Sequence, residues 1–200
     1  MLSTNNIYTS HEGEAQFYAA YEDMFSLWPV PHESIDVQTR YSRTHINVSG
    51  PEDAPPLFLL HAAGFSSTVW YTNIGALSRN HRAYVVDIIG DAGISKISQR
   101  LQSWTDHAVW LSDVLDGLVI EQAGLVGHSQ GGWMAMALAL SYLQKVNKLV
   151  MLAPAASIHP FAWYVRLNFV LLQHMIRPSA KSQLKMAAAK GPFSRNVLSK

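Results

Sequence analysis

The sequence predicts an α/β fold, with a mostly parallel sheet flanked by helices. Two observations lead to this prediction: short apolar runs alternate with helical segments, and a glycine-rich turn joins one run to a helix. Continuous apolar runs are typical of strands buried on both faces, and strands that alternate with helices form βαβ units. The predicted strands are Leu57–Leu60, Ala83–Ile89, Gly124–Val126 and Leu149–Leu152, and the predicted helices cover residues 68–79, 104–120 and 131–144.

A helix and a hairpin are predicted before these units. Thr9-Ser10-His11-Glu12 fits a capping box, which marks a helix start. Apolar side chains then recur at spacings of three and four, on one helix face, until Pro29 and Pro31: Phe17, Tyr21, Met24, Phe25 and Trp28. Glu33–Thr39 and Arg43–Val48 alternate in polarity around a turn, which indicates an antiparallel hairpin.

The composition indicates a large buried core. Apolar residues make up 48% of the 200 residues and charged residues 14%, against about 25% charged in typical domains. The net charge of +1 gives no basic field for nucleic acid or a membrane surface. The absence of cysteine excludes disulfides, thiolate metal sites and a cysteine nucleophile.

Charge is unevenly distributed along the chain. All 14 acidic residues lie between Glu12 and Glu121, whereas residues 122–200 carry only basic ones. A basic tail that binds an anion is one interpretation, but the basic residues are scattered singly among apolar ones, which does not favour it.

No targeting or membrane segment is evident. Residues 1–10 are polar and lack the basic start and apolar run of a signal peptide. The most apolar windows, Trp133–Leu143 and Phe161–Ile176, are too short or too interrupted for a bilayer, which needs about 20 apolar residues. The sequence therefore predicts a soluble, cytoplasmic protein.

The glycine-rich turn carries a candidate nucleophile. Gly127-His128-Ser129-Gln130-Gly131 matches the G-x-S-x-G elbow; an apolar strand enters it and a helix rich in small residues leaves it. A serine at such a turn needs neighbours with almost no side chain, because the backbone is strained. The helix N-terminus behind it favours developing negative charge. An ordinary glycine-rich turn is the alternative.

A second loop follows the first buried strand: His61-Ala62-Ala63-Gly64-Phe65, called here the oxyanion loop. In folds with this elbow, one oxyanion-hole N–H comes from that loop and the other from the residue after the nucleophile. The candidate catalytic groups are therefore Ser129 and the backbone N–H groups of Ala63 and Gln130. His61 could be read as the base, but a histidine that orients its own loop is favoured, because the base follows the nucleophile in such folds.

Asp87 and Asp91 lie beside Gly90 and Gly93 after the second buried strand. A metal or phosphate loop is one interpretation, but neither metal-ligand spacing nor the phosphate-loop signature is present. The pattern predicts hydrogen bonds that stabilise the loop. His81 and His107 are predicted to be surface histidines, and no metal site is predicted.

Three segments together, Gly127–Gly132, His61–Phe65 and Asp87–Ser95, resemble the α/β-hydrolase fold in order and spacing. Residues 20–155 more closely resemble bacterial carboxylesterases of the naproxen-esterase type. The similar stretches are Leu27-Trp28-Pro29, Ser49 to Leu57, Phe65 to Tyr71 and Val86 to Asp91. The resemblance implies hydrolysis of a small apolar ester through an acyl-enzyme, without a cofactor. One departure is Ala62, where the family usually has glycine.

With this resemblance, residues 1–30 are interpreted as a helical extension, 31–155 as the hydrolase core and 156–200 as the start of a helical cap. Triad partners follow the nucleophile in the order Ser, Asp/Glu, His, yet no Asp or Glu follows Ser129, and only His159 and His174 remain. The fold is therefore expected to be incomplete at its C-terminal end. Either the chain is a fragment of such an enzyme, or it has abandoned the triad.

Several functions fit this pattern. The leading one is a serine carboxylesterase. A lipase, lactonase, amidase or carbon–carbon hydrolase would keep the same elbow, and a catalytically dead binding protein would not need the absent acid. The aromatic residues from Phe161 to Met175 could roof an apolar pocket or, if exposed, form a homodimer.

Overall fold

The computed structural model describes Tyr8 and residues 10–155. In this part of the chain, six strands form one sheet in the order β1-β2-β4-β3-β5-β6. Strand β2 pairs antiparallel with β1 and β4, and all other pairs are parallel. The strands are β1 (Glu33–Gln38), β2 (Arg43–Ser49), β3 (Pro56–Leu60), β4 (Arg82–Val86), β5 (Ala123–His128) and β6 (Val146–Leu152).

Four α-helices accompany this sheet in the described residues. They are α1 (His11–Phe25), α2 (Tyr71–Leu77), α3 (Trp104–Gly117) and α4 (Gln130–Ser141), with single 3₁₀ turns at Ser67–Trp70 and Leu143–Lys145. The predicted α/β class and the hairpin are confirmed. The strand predicted to reach Ile89 ends at Val86, although Asp87, Ile88 and Ile89 are buried.

Helix α1 begins one residue later than a capping box requires. Ser10 is the N-cap, and its Oγ accepts the Gly13 N–H at 3.0 Å. The residue three positions after the cap is therefore Gly13, which has no side chain to return the bond. Because the cap is Ser10, Glu12 stands two positions after it rather than three, so the predicted box is wrong. The predicted buried face is present in Phe17 and Tyr21.

Successive residues of β3 pack into two separate apolar clusters, because side chains alternate across a sheet. Phe58 and Leu60 join Trp110, Leu111 and other residues of α3 and α4. Leu57 and Leu59 join the second cluster, on the opposite face, with Trp28, Trp70 and Ile74. The prediction that this strand is buried on both faces is confirmed.

The same prediction is wrong for β6. Its side chains alternate between half-buried and exposed, and Val150 and Leu152 are 47% and 44% exposed. Within the described residues β6 has one neighbouring strand, β5, and α4 packs against it. An apolar run indicates that a strand can be buried, but it cannot show which faces are covered. Interpretations of residues 156–200 lie outside the described residues.

Over the described residues, no helix has the length and apolar character needed to cross a membrane.

A buried polar network ties α1 to the core. The Tyr21 hydroxyl lies 2.9 Å from Ser67 Oγ and accepts a hydrogen bond from Asn47 Nδ2 at 2.7 Å. The Ser67 N–H in turn donates to Asp87 at 2.7 Å. Burial raises the pKa of Tyr21 well above its ordinary range, so its hydroxyl keeps its proton. Hydrogen bonds between Tyr21 and Ser67 and between Ser67 and Asp87 thus connect the N-terminal helix to the loop that follows β4.

Substituting Tyr21→Phe is expected to lower the free energy of unfolding by roughly 1–2 kcal/mol, since the buried amide of Asn47 loses a partner. Denaturant unfolding measures the change. Tyr84→Phe is the matched control, because Tyr84 stacks on Phe58 and its hydroxyl makes no hydrogen bond within the described residues. Equal effects of the two substitutions would contradict a stabilising role for the network.

Candidate active site

Ser129 occupies a strained turn between β5 and α4. Its backbone angles are φ 51° and ψ −110°, a combination that costs on the order of 1–3 kcal/mol in a residue other than glycine. The strained backbone predicted from the sequence is confirmed. The side chain is half-buried at the N-terminus of α4, where backbone N–H groups lack helical partners.

The end of β6 holds this turn on one side. The Ser129 N–H donates to the Leu152 carbonyl at 2.9 Å, and the Ser129 carbonyl accepts the Ala155 N–H at 3.1 Å. The Trp133 N–H of α4 donates to the same carbonyl at 3.1 Å. These hydrogen bonds use the backbone N–H and carbonyl of Ser129 and do not involve its hydroxyl. The sequence did not predict the contacts with Leu152 and Ala155, because no motif marks either residue.

Both motif glycines are required by close backbone approaches. A Cβ on Gly127 would overlap the Gly131 carbonyl on the first turn of α4. A Cβ on Gly131 would overlap the Leu60 carbonyl and lie 2.7 Å from the His61 carbonyl. The helix behind Ser129 therefore touches the end of β3, where the oxyanion loop starts. The structure thus brings the two predicted segments together.

His61 is buried and both of its ring nitrogens are used. Nδ1 lies 2.8 Å from the Ala62 carbonyl oxygen, so it must donate, and Nε2 accepts the Ile88 N–H at 3.0 Å. This pattern requires the neutral ring in one tautomer. A ring with no free nitrogen cannot act as a base, so the interpretation of His61 as the residue that orients its loop is confirmed.

The histidine acts on the peptide that carries the Ala63 N–H. The Ala62 carbonyl accepts from His61 Nδ1 and, at 3.3 Å, from the Phe65 N–H. Since a trans peptide is planar, its N–H points opposite to its carbonyl. Because His61 and the Phe65 N–H fix the direction of the Ala62 carbonyl, they also fix the direction of the Ala63 N–H, which points to the opposite side of the peptide. Ala62 avoids positive φ, so its Cβ is tolerated where the family usually has glycine, and Gly64 supplies the positive φ of 77°.

Two aspartates stabilise the surrounding loops, as predicted. The Asp87 carboxylate accepts the N–H groups of Ser67 and Ile94 at 2.7 and 2.8 Å. The Asp91 carboxylate accepts the Gly64 N–H at 2.9 and 3.1 Å. No group of three or more potential metal ligands is present among the described residues.

The prediction that His107 is a surface residue is wrong. His107 is half-buried on α3; its Nδ1 lies 2.8 Å from the Ser103 carbonyl, and its ring meets Trp133 edge-on at 5.0 Å. Burial lowers its pKa. His81 is also half-buried, 3.2 Å from the Leu77 carbonyl. His107 lies on α3, whereas His81 lies beyond the end of α2 at Leu77. One sequence cannot show which side of a helix or turn a neighbouring element covers. His159 and His174 lie outside the described residues.

Comparison with known proteins agrees with the fold. The family described as "Alpha/beta hydrolase family" matches residues 57–199 of the chain. The chain belongs to the α/β hydrolase family. Among curated relatives, this α/β hydrolase is 45% identical over 146 residues to "Uncharacterized carboxylesterase nap" and 42% identical over 163 residues to "Carboxylesterase YbfK", both from Bacillus subtilis.

These alignments cover 73% and 80% of this α/β hydrolase but 49% and 55% of the relatives. The chain thus spans about half the length of the curated relatives it matches. The solved structure of naproxen esterase (carboxylesterase NP) from Bacillus subtilis is 35% identical, with a TM-score of 0.79 over 96% of this chain and 73% of that one. The structure of carboxylesterase CesB (YbfK) gives a TM-score of 0.78 at 42% identity, over 80% of this chain and 56% of that one.

Substituting Gly131→Ala is expected to lower the free energy of unfolding by roughly 1–3 kcal/mol, because the added methyl overlaps backbone atoms that cannot turn aside. Thermal or denaturant unfolding provides the measurement. The control is Gly75→Ala in α2, where the nearest atom would be Pro29 Cγ at 3.3 Å and alanine improves helix propensity. If Gly131→Ala were as stable as Gly75→Ala, the close approach would be refuted.

Asp91 gives a pH-dependent prediction. Burial raises the pKa of its carboxyl, as does the neighbouring Asp87, while hydrogen bonds from the N–H groups of Ala92 and Gly64 lower it; the net shift is upward. As pH rises from about 4, the unfolded chain therefore loses this proton first, and the native state loses stability until its own pKa is passed. Wild type should lose stability relative to Asp91→Asn over that range. Urea unfolding at a series of pH values tests this, and a constant difference between the two proteins would contradict it.

Proposed function

We propose that Ser129 is the nucleophile of a serine hydrolase that cleaves carboxylic esters through an acyl-enzyme. The observation that carries the proposal is the strained serine at φ 51°, placed at a helix N-terminus against the oxyanion loop. Strain of this size persists only where the surrounding structure fixes it, and it is common at catalytic residues. The relatives named carboxylesterases support an ester as the substrate class.

In the acylation step, Ser129 Oγ forms a bond to the ester carbonyl carbon while its proton passes to a base. The carbonyl oxygen becomes an oxyanion. The tetrahedral intermediate collapses, the bond to the leaving oxygen breaks, and that oxygen takes a proton and departs as an alcohol. Water then attacks the acyl-serine by the same route and releases the acid.

The Ala63 and Gln130 N–H groups are proposed to stabilise the oxyanion. Gln130 is the first residue of α4, so its N–H has no partner within the helix. Neither N–H donates to another group among the described residues. The Ala63 peptide is oriented by His61, as described above. One such donor contributes roughly 3–4 kcal/mol of transition-state stabilisation.

The base and its acid partner are not assigned to residues of this chain. His61 is excluded by its two hydrogen bonds, and no Asp or Glu follows Ser129 in the sequence. Loss of a triad member can lower kcat on the order of 10⁶-fold. The second candidate is a hydrolase-derived protein that binds ligands without turning them over, because His61 of the oxyanion loop has no free ring nitrogen with which to act as the base.

The proposed nucleophile predicts covalent labelling of Ser129 by a fluorophosphonate probe and hydrolysis of a short-chain p-nitrophenyl ester. Ser129→Ala should abolish both, because it removes the Oγ that forms the bond to the probe and to the acyl group. Ser141→Ala, an exposed serine at the far end of the same helix, should behave as wild type. Mass spectrometry of the labelled peptide and release of p-nitrophenol supply the readouts.

Retained hydrolysis in Ser129→Ala would refute the assignment. A folded wild-type chain that neither reacts with the probe nor turns over the ester would favour the binding protein. A matched p-nitroanilide separates esterase from amidase activity, since only an amidase cleaves it at a comparable rate.

A further inference from the structure

A carboxylate from a different loop contacts the oxyanion loop directly. Asp91 lies between β4 and α3, 27 residues from Gly64, and both of its carboxylate oxygens accept the Gly64 N–H. Oδ1 also accepts the N–H of Ala92 at 2.9 Å. Asp91 thus connects two loops at the ends of β3 and β4, which are adjacent and parallel.

We propose that Asp91 is a positioning residue, which holds the oxyanion loop so that the Ala63 N–H faces the reacting oxygen. This inference rests on the proposed function of Ser129. It adds a residue whose role is to fix the shape of the loop rather than to touch the substrate.

The two peptides on either side of the Ala63 α-carbon are held from different directions. The peptide before it carries the Ala63 N–H, and its carbonyl is fixed by His61 and Phe65. The peptide after it carries the Gly64 N–H, and Asp91 fixes that group. With both peptides anchored, rotation about the Ala63 backbone bonds breaks at least one hydrogen bond. Without Asp91, the second peptide is free to rotate.

Packing does not replace this anchor. A Cβ placed on Gly64 would meet no atom within 4 Å, and Ala63 is exposed. Glycine also has more accessible backbone conformations than any other residue. The hydrogen bond from Gly64 to the carboxylate is therefore the main described restraint on this part of the loop.

The charge of Asp91 is not what the role requires. A negative charge near a developing oxyanion destabilises that oxyanion by repulsion. The hydrogen bond from the Gly64 N–H needs only an acceptor oxygen. Asp91→Asn keeps an acceptor for Gly64 and Ala92 and removes the charge, while Asp91→Ala removes both. A positioning role therefore predicts that asparagine restores what alanine loses.

Asp91→Ala is expected to lower kcat for the p-nitrophenyl ester, and the rate of fluorophosphonate labelling, by on the order of 10- to 100-fold. This is less than the roughly 10²- to 10³-fold cost of deleting an oxyanion donor, because the donor is displaced rather than removed. KM should stay near the wild-type value, since Asp91 does not contact substrate. Asp91→Asn should remain within a few-fold of wild type.

Amide hydrogen exchange of the peptide spanning residues 61–66 gives a readout that needs no activity. Asp91→Ala should accelerate its exchange, and Asp91→Asn should not. Asp113→Ala is the matched control. Asp113, on α3, also accepts a backbone N–H, from Arg40 at 3.1 Å, but Arg40 lies in the turn between β1 and β2 and not in the oxyanion loop. This substitution should change neither labelling nor exchange in the oxyanion loop.

The outcomes separate this inference from the proposed function. Unchanged exchange in Asp91→Ala overturns the anchor whatever the activity. Faster exchange with wild-type labelling and kcat overturns its role in positioning while leaving Ser129 as nucleophile. An Asp91→Asn variant as impaired as Asp91→Ala also overturns the positioning role, because the charge would then matter. If wild-type Ser129 does not react, the proposed function fails and the positioning role fails with it.

Discussion

The close approach of backbone to backbone at the elbow is the constraint on which the candidate site depends. Gly127 lies against the first turn of α4, and Gly131 lies against the Leu60 and His61 carbonyls. With no side chain at either position, the chain can reverse sharply enough to place Ser129 in a left-handed conformation. The same contact brings the helix N-terminus to the end of β3. Ser129 and the oxyanion loop are therefore neighbours because two glycines allow it, and hydrogen bonds to Leu152 and Ala155 hold the strained backbone of Ser129.

Around this contact, buried polar groups fix loops that have few apolar contacts of their own. His61 joins its own loop to the residue after Asp87, and Asp87 joins the loop after β4 to the 3₁₀ turn that carries Ser67. Tyr21 extends the connection to α1. Each of these groups makes hydrogen bonds to backbone groups or to neighbouring polar side chains, which offsets the free-energy cost of burying it. The N-terminal helix is thus part of the scaffold that holds the loops, in addition to covering an apolar face.

Much of this arrangement could be predicted from one sequence, and the successes share a cause. The hairpin, the order of strands and helices, and the strained serine depend on local periodicity or on residues that are adjacent in the chain. The errors concern relations between distant segments. The cap of α1 is Ser10, so Glu12 stands two positions after the cap rather than three and does not close the predicted box. The outer face of β6 is exposed because coverage depends on what packs there, and His107 is half-buried because Trp133 of α4 lies over it.

The sequence by itself determined the α/β class, the elbow around Ser129 and the position of the oxyanion loop. These follow from hydrophobic period, from the conformations that glycine alone permits, and from composition. Only the tertiary structure decided that His61 is a neutral, doubly bonded ring and that Asp91 holds Gly64. Hydrogen bonds between residues 27 positions apart leave no periodic trace in the chain, since they depend on strands β3 and β4 lying side by side with their ends level.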